Sequence, residues 1–168
     1  MGMEGYDIFI PDYRGYGKTE GRVTSNAQLL SDAQRAYDHV KDHYEEKDII
    51  VVGYSLGTGM ASHVAMAPHK PRHLFLAAPY TSLTDVKDKY LWMFPDFLLK
   101  YRLSNEDHLD KVTAPITLMH GTADEIIDYD LGAALKQKYP RVEFVSKEGM
   151  SHRRLIFNIG GDMRRSLE

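Results

Sequence analysis

Two kinds of apolar pattern alternate along the chain. Short, nearly continuous apolar runs occur at Ile49-Ile50-Val51-Val52, Leu74-Phe75-Leu76-Ala77-Ala78 and Ile116-Thr117-Leu118-Met119. Runs of this kind suit strands of a parallel sheet buried on both faces. Elsewhere apolar residues recur at helical spacing. Leu29, Ala33, Ala36, Tyr37, Val40 and Tyr44 make one such stripe, preceded by Ser25-Asn26-Ala27-Gln28, which reads as a capping box. A small-residue helix is expected over residues 56–67, another over 130–138, and a last one from about His152 until Gly160-Gly161 breaks it. Val142-Glu143-Phe144-Val145 alternates as an edge strand does, and residues 6–11 read as a further strand stopped by Pro11-Asp12. Strands alternating with helices predict an α/β protein in three layers, with a mostly parallel sheet of about five strands between helices.

Composition narrows the function. A chain of 168 residues with 43% hydrophobic content suits one domain with a real core. Its least regular part is 80–114, with Tyr90, Trp92, Phe94, Phe97, Leu98 and Tyr101 around Pro95. That stretch is expected to be either a helical segment packed on the sheet or a small cap lining an apolar substrate pocket. A net charge of −3 gives no electrostatic case for nucleic acid or an acidic membrane surface. Arg153, Arg154, Arg164 and Arg165, without interleaved aromatics, read as a solvated face. The absence of cysteine removes disulfides, thiolate catalysis and Cys-based zinc sites, and fits a reducing, cytoplasmic setting. The first residues lack the basic and apolar regions of a signal peptide, and no apolar run approaches a membrane span. There is no H-E-x-x-H, and Gly15-Tyr16-Gly17-Lys18-Thr19 lacks the spacing of a phosphate-binding loop, so neither metal nor cofactor is expected.

The chemistry is concentrated at Gly53-Tyr54-Ser55-Leu56-Gly57, a G-x-S-x-G sequence. A β-branched strand enters it and a small-residue helix leaves it. A serine at such a junction sits on a sharp turn with its hydroxyl above the C-terminal edge of the sheet. A side chain at either flanking glycine is expected to crowd the strand–helix crossing. Serine needs a base, and in this arrangement the acid and then the histidine follow the nucleophile along the chain. Of eight histidines, His152 lies in the turn after the last strand, at the edge where the serine is expected. The acid is sought in the loop after Ile116–Met119: Asp124 is the first candidate, with Asp128 and then Glu125 as rivals. His120, at the end of that strand, is a candidate for shaping the loop.

With these residues placed, the chain resembles α/β-hydrolases of the serine aminopeptidase and lysophospholipase-like branch. It is most similar to members with a small cap, some of which are membrane-associated acyl-protein thioesterases. The likeness rests on Pro11-Asp12-Tyr13-Arg14-Gly15-Tyr16-Gly17-Lys18-Thr19-Glu20-Gly21, the Ser55 turn, Ala78-Pro79-Tyr80-Thr81-Ser82-Leu83, His120-Gly121-Thr122-Ala123-Asp124 and Gly149-Met150-Ser151-His152. The resemblance implies a catalytic set of Ser55, Asp124 and His152, with the Leu56 N–H as one oxyanion donor. It implies a small acyl ester or thioester substrate, with Tyr54, Tyr80, Trp92 and Phe94 as candidate contacts. Members of this branch carry further strands and a His-Gly loop, the source of a second oxyanion donor, ahead of the position matching residue 6. The sheet is therefore expected to be shortened, with residues 6–11 pairing directly with Ile49–Val52 or leaving an open edge. Such an edge makes self-association an expectation too.

Overall fold

Strands β1 (Ile50–Tyr54), β2 (His73–Ala77), β3 (Ile116–Gly121) and β4 (Glu143–Lys147) form one sheet in the order β1-β2-β3-β4. Every neighbouring pair is parallel. Parallel neighbours require a crossover between them. The structure is a computed structural model and describes residues 5–86 and 103–167. Around the sheet lie α1 (Asn26–Lys41), α2 (Gly57–Val64), α3 (Glu106–Leu109), α4 (Tyr129–Lys138), α5 (His152–Leu155) and α6 (Ile159–Leu167).

Strand side chains alternate between two cores. Leu74, Leu76 and Leu118 point to one face and pack with Tyr37 of α1, Ala61 and Val64 of α2, and Leu135 of α4. Phe75, Ala77 and Met119 point to the other, against Leu155, Ile159 and Met163. Each of these central leucines is fully buried, which stabilises the fold by about 1.5–3 kcal/mol apiece. A third cluster, with Met60, Tyr80, Leu83, Leu103 and Ile127, lies beneath the turn that carries Ser55. The sheet with helices on both faces is thus the three-layer α/β arrangement that the patterning implies.

Two elements differ from the sequence expectation. Residues 6–11 belong to no strand, so the described sheet has four strands rather than five. Tyr6, Ile8, Phe9 and Ile10 remain 37–82% exposed, and no backbone bond joins them to β1. A β-branched sequence becomes a strand only when a ladder and a packed face receive it. The second difference is the C-terminal helix: the run expected from about His152 to Gly160-Gly161 ends at Leu155, and a separate α6 begins at Ile159 and passes through both glycines. Ile159 and Met163 are buried on the sheet, and Asp162 accepts a 2.6 Å bond from Lys147 Nζ. Tertiary anchoring of that face outweighs the roughly 1 kcal/mol helix cost of each glycine. At α1 the cap is also shifted by one residue. Ser25 Oγ accepts from the Gln28 N–H at 3.1 Å, but the Gln28 side chain takes the N–H of Thr24 rather than that of Ser25.

Buried histidines make stability depend on pH. Burial, then the neighbouring His63, pushes His108 down to about 4, while its Nδ1 lies 3.0 Å from Ser62 Oγ. Burial likewise lowers His63 and His73 from 6.5. Below about pH 6.5 the unfolded chain binds these protons and the folded chain resists them. Stability conferred by the neutral rings is therefore full above that pH and falls as the pH drops toward 4. The expected result is a melting temperature that declines from pH 7 to pH 4.5, with a shallower slope in His108→Gln. Equal slopes in the two proteins would remove His108 from the account.

Candidate active site

Ser55 follows the last residue of β1 and adopts φ 51°, a left-handed conformation that a non-glycine residue rarely holds. Its N–H donates to Ala77 O at 2.9 Å, and its carbonyl accepts from Thr58 N (3.0 Å) and Thr58 Oγ1 (2.8 Å). Thr58 Oγ1 in turn accepts from Asn105 Nδ2 at 3.0 Å, and the same amide reaches Tyr80 O at 2.8 Å. The strained turn is thus braced from two sides. Leu56, at the N-cap of α2, directs its N–H to no acceptor among the described residues.

The glycines around the turn are not equivalent. A Cβ at Gly53 would lie 2.7 Å from both Ala61 Cβ and Thr58 Cα, so this glycine is dictated by close approach of strand and helix. One at Gly57 would meet only Tyr13 Oη at 3.6 Å, and the expectation of crowding there does not hold. Gly53→Ala is expected to cost about 1–3 kcal/mol in urea unfolding, because the obstructing atoms include backbone. Gly57→Ala should cost much less, and equal losses would contradict this reading.

The loops after β3 and β4 are locked together. Thr122 N donates to Lys147 O at 2.9 Å, Ala123 N to Met150 O at 3.2 Å, and Gly149 N to Thr122 Oγ1 at 2.8 Å. Gly121 permits the approach, since a Cβ there would fall 2.1 Å from Met150 O. The consequence is that His152 Nδ1 lies 2.7 Å from Asp124 Oδ2 and 3.0 Å from Oδ1. On its other side His152 Nε2 lies 3.0 Å from Ser55 Oγ. These residues, 97 positions apart at the extremes, meet at the C-terminal ends of β1, β3 and β4, where ligand sites of open α/β sheets form.

Both ends of the His152–Asp124 pair are enclosed, with side-chain exposures of 6% and 0%. Burial alone would raise the Asp124 carboxyl. Hydrogen bonds from His120 and His152, the imidazole's field and the Ile126 N–H overcome it and hold the group well below the usual carboxylate range. Asp124 Oδ1 accepts from the N–H groups of Ile126 and Ile127, each at 2.9 Å. Glu125 Oε2 accepts the His152 N–H at 3.0 Å, so this rival carboxylate holds the backbone of the histidine rather than its ring. Asp128, the other rival, stands at the N-cap of α4.

Tyr54 is half-buried; its hydroxyl donates to His152 O at 2.9 Å and its ring lies 5.0 Å from the imidazole. Burial, then the charges of Asp124 and Glu125, pushes its phenol up to about 12, so it stays a donor. Tyr80 corrects its expected role as a substrate contact. It is completely buried in the cluster under the turn, and its hydroxyl donates to Leu56 O at 3.2 Å. The cause is its place just past β2, where the chain passes beneath α2. Trp92 and Phe94, with the rest of 87–102 in the 80–114 segment, lie outside the described residues. Among the described residues no cluster of three or more His, Asp or Glu could hold a metal ion, and no helix is long and apolar enough to cross a membrane. The roles of Glu125 and Asn105 had no sequence signal, because both act through backbone atoms or through a contact far along the chain.

A parallel sheet with helices on both faces, carrying a strained serine turn and loops that meet at its C-terminal rim, defines an α/β hydrolase. The chain belongs to the serine aminopeptidase (S33) family, whose model matches residues 1–113, a stretch that ends before Asp124 and His152. It is 33% identical over 152 residues to the human alpha/beta hydrolase domain-containing protein 17B, covering 87% of this chain and 50% of that protein. The chain therefore spans about half the length of the curated relatives it matches. Among solved structures, an esterase from Pyrococcus furiosus superposes with a TM-score of 0.69 at 20% identity, covering 92% of this chain and 66% of that one. An alpha-beta serine hydrolase homologue from Coxiella burnetii gives 0.64 at 22% identity, covering 93% and 64%. At those identities the likeness is one of fold.

Proposed function

We propose that this chain is a serine hydrolase that cleaves carboxylic ester or thioester bonds through an acyl-enzyme. The observation that carries the proposal is the unbroken series Ser55 Oγ–His152 Nε2 at 3.0 Å and His152 Nδ1–Asp124 Oδ2 at 2.7 Å. In this reading Ser55 Oγ attacks the carbonyl carbon while its proton passes to His152 Nε2. Asp124 keeps the other ring proton on Nδ1 and stabilises the imidazolium. The Leu56 N–H donates to the oxyanion of the tetrahedral intermediate. Collapse expels the alcohol or thiol, which takes the proton from Nε2. Water then gives a proton to the same nitrogen as it attacks the acyl-enzyme, and the released Ser55 oxygen recovers a proton from it.

One observation favours another reading. The family is named for aminopeptidases, and the serine chemistry is the same for an amide. The Leu56 N–H is one backbone donor, and one such donor is typically worth about 100- to 1,000-fold in kcat, or roughly 3–4 kcal/mol. Esters and thioesters depend less on such donors than amides do, which favours them as substrates; a silent domain, without turnover, is the third reading. The aromatic sequence Tyr90–Tyr101 supports an apolar acyl group. A panel of p-nitrophenyl esters of rising chain length, an acyl thioester and an aminoacyl p-nitroanilide tests the assignment. Turnover of the first two classes with little of the third is expected. Faster anilide cleavage would move the chain to the peptidases, and no turnover of any would favour the silent domain.

Self-association remains part of the proposal. The outer edge of β1 has no strand beside it among the described residues, and exposed Ile8, Phe9 and Ile10 lie in the segment expected to pair there. A monomer at all concentrations in light scattering would remove that part.

A further inference from the structure

His120 is a titratable side chain that the proposed chemistry does not use, yet it is completely buried. It occupies the end of β3, with its Nε2 3.0 Å from Ile127 O and 3.4 Å from Asp124 Oδ2. Both neighbours are acceptors, so Nε2 must carry the proton. The opposite nitrogen, Nδ1, is buried without a hydrogen-bond partner and faces α4. A Cβ at Gly132 would lie only 2.3 Å from it. The ring is therefore wedged between a glycine of α4 and the turn 124–127. That turn is the one whose Ile126 and Ile127 N–H groups hold Asp124 Oδ1.

We propose that His120 is a positioning residue for the Asp124–His152 pair: its Nε2–H clamps the 124–127 turn through Ile127 O and so fixes the carboxylate facing His152. This rests on the reading of Asp124 and His152 as acid and base. Around His120 the groups that bear charge or titrate are Asp124 on its own loop and Tyr129 of α4, whose ring lies 5.8 Å away. Around His152 they are Asp124, Glu125, Tyr54 of β1 and the adjacent Arg153. None of these supplies a second donor to Ile127 O.

Three measurements test it. First, nitrogen-15 NMR of the imidazole at about pH 8, where a histidine ring is neutral in the ordinary case, is expected to find the His120 proton on Nε2. A proton on Nδ1 would overturn the proposal whether or not the protein is an enzyme. Second, His120→Leu is expected to lower kcat about tenfold with KM little changed, the scale of one lost hydrogen bond, and to move the acid limb of the kcat profile to lower pH as the imidazolium loses its partner. His120→Gln, which can present an N–H near the same place, should restore most of both. Third, Gly132→Ala leaves the Nε2–H in place but pushes the ring, and alanine favours the helix it sits in. It should reproduce the loss in kcat. Folded leucine and Gly132→Ala variants with parental kcat and pH profile would refute the positioning role while leaving the hydrolase reading intact. A parent protein that turns over no substrate, with the NMR result as expected, would instead refute the hydrolase reading.

Discussion

Ser55→Ala is expected to lower kcat on a p-nitrophenyl ester by at least about 10⁴-fold, with the folded state intact. Among the described residues the Ser55 hydroxyl is the group bonded to His152 Nε2, at 3.0 Å, and alanine removes it without disturbing the backbone bonds of the turn. Water attacking in place of the serine would retain only the help of binding and the Leu56 N–H. A circular-dichroism melt close to that of the parent would separate lost chemistry from lost fold. If the variant matched the parent in turnover, the activity would have another source and the silent-domain reading would stand.

Asp124→Asn should cost nearly as much, about 10⁴-fold in kcat, for a reason visible in its partners. Oδ1 is fixed by the Ile126 and Ile127 N–H groups, so an asparagine keeps its carbonyl oxygen there. Its NH₂ would then take the place of Oδ2, which lies 2.7 Å from His152 Nδ1. That amide donates, so Nδ1 must accept and the ring proton moves to Nε2. A protonated Nε2 cannot take the proton of Ser55. The depressed carboxyl of Asp124 adds a stability effect of known sign. A folded pKa below the unfolded one contributes stability above the unfolded pKa, lost as the pH falls through the folded value. The variant should therefore be somewhat less stable at neutral pH and lose less on acidification. A variant with near-parental kcat would show that Asp124 does not set the tautomer of His152.

The three apolar runs and the alternating Val142–Val145 segment were readable as strands because each is received by a neighbour on the sheet and by a packed face. Residues 6–11 carry the same type of sequence without that reception, and no local pattern could reveal the difference. The G-x-S-x-G turn, the acid loop and the histidine turn were legible because they recur at strand ends in a fixed order along the chain. What the sequence left hidden depends on contacts between distant backbones. Glu125 holds the His152 N–H, Asn105 braces Thr58 from 47 residues away, and Tyr80 lies under the turn instead of beside a ligand. The continuation of α6 through Gly160-Gly161 is of the same kind, since buried Ile159 and Met163 outweigh helix propensity there.

A fluorophosphonate probe puts the central claim to its most direct test, because it bonds only to a serine whose proton is taken by a nearby base. The folded parent protein, digested after labelling and read by mass spectrometry, should carry the adduct on the peptide containing Ser55, and the His152→Ala protein should carry almost none. Label on another residue, or none on the well-folded parent, would contradict the account.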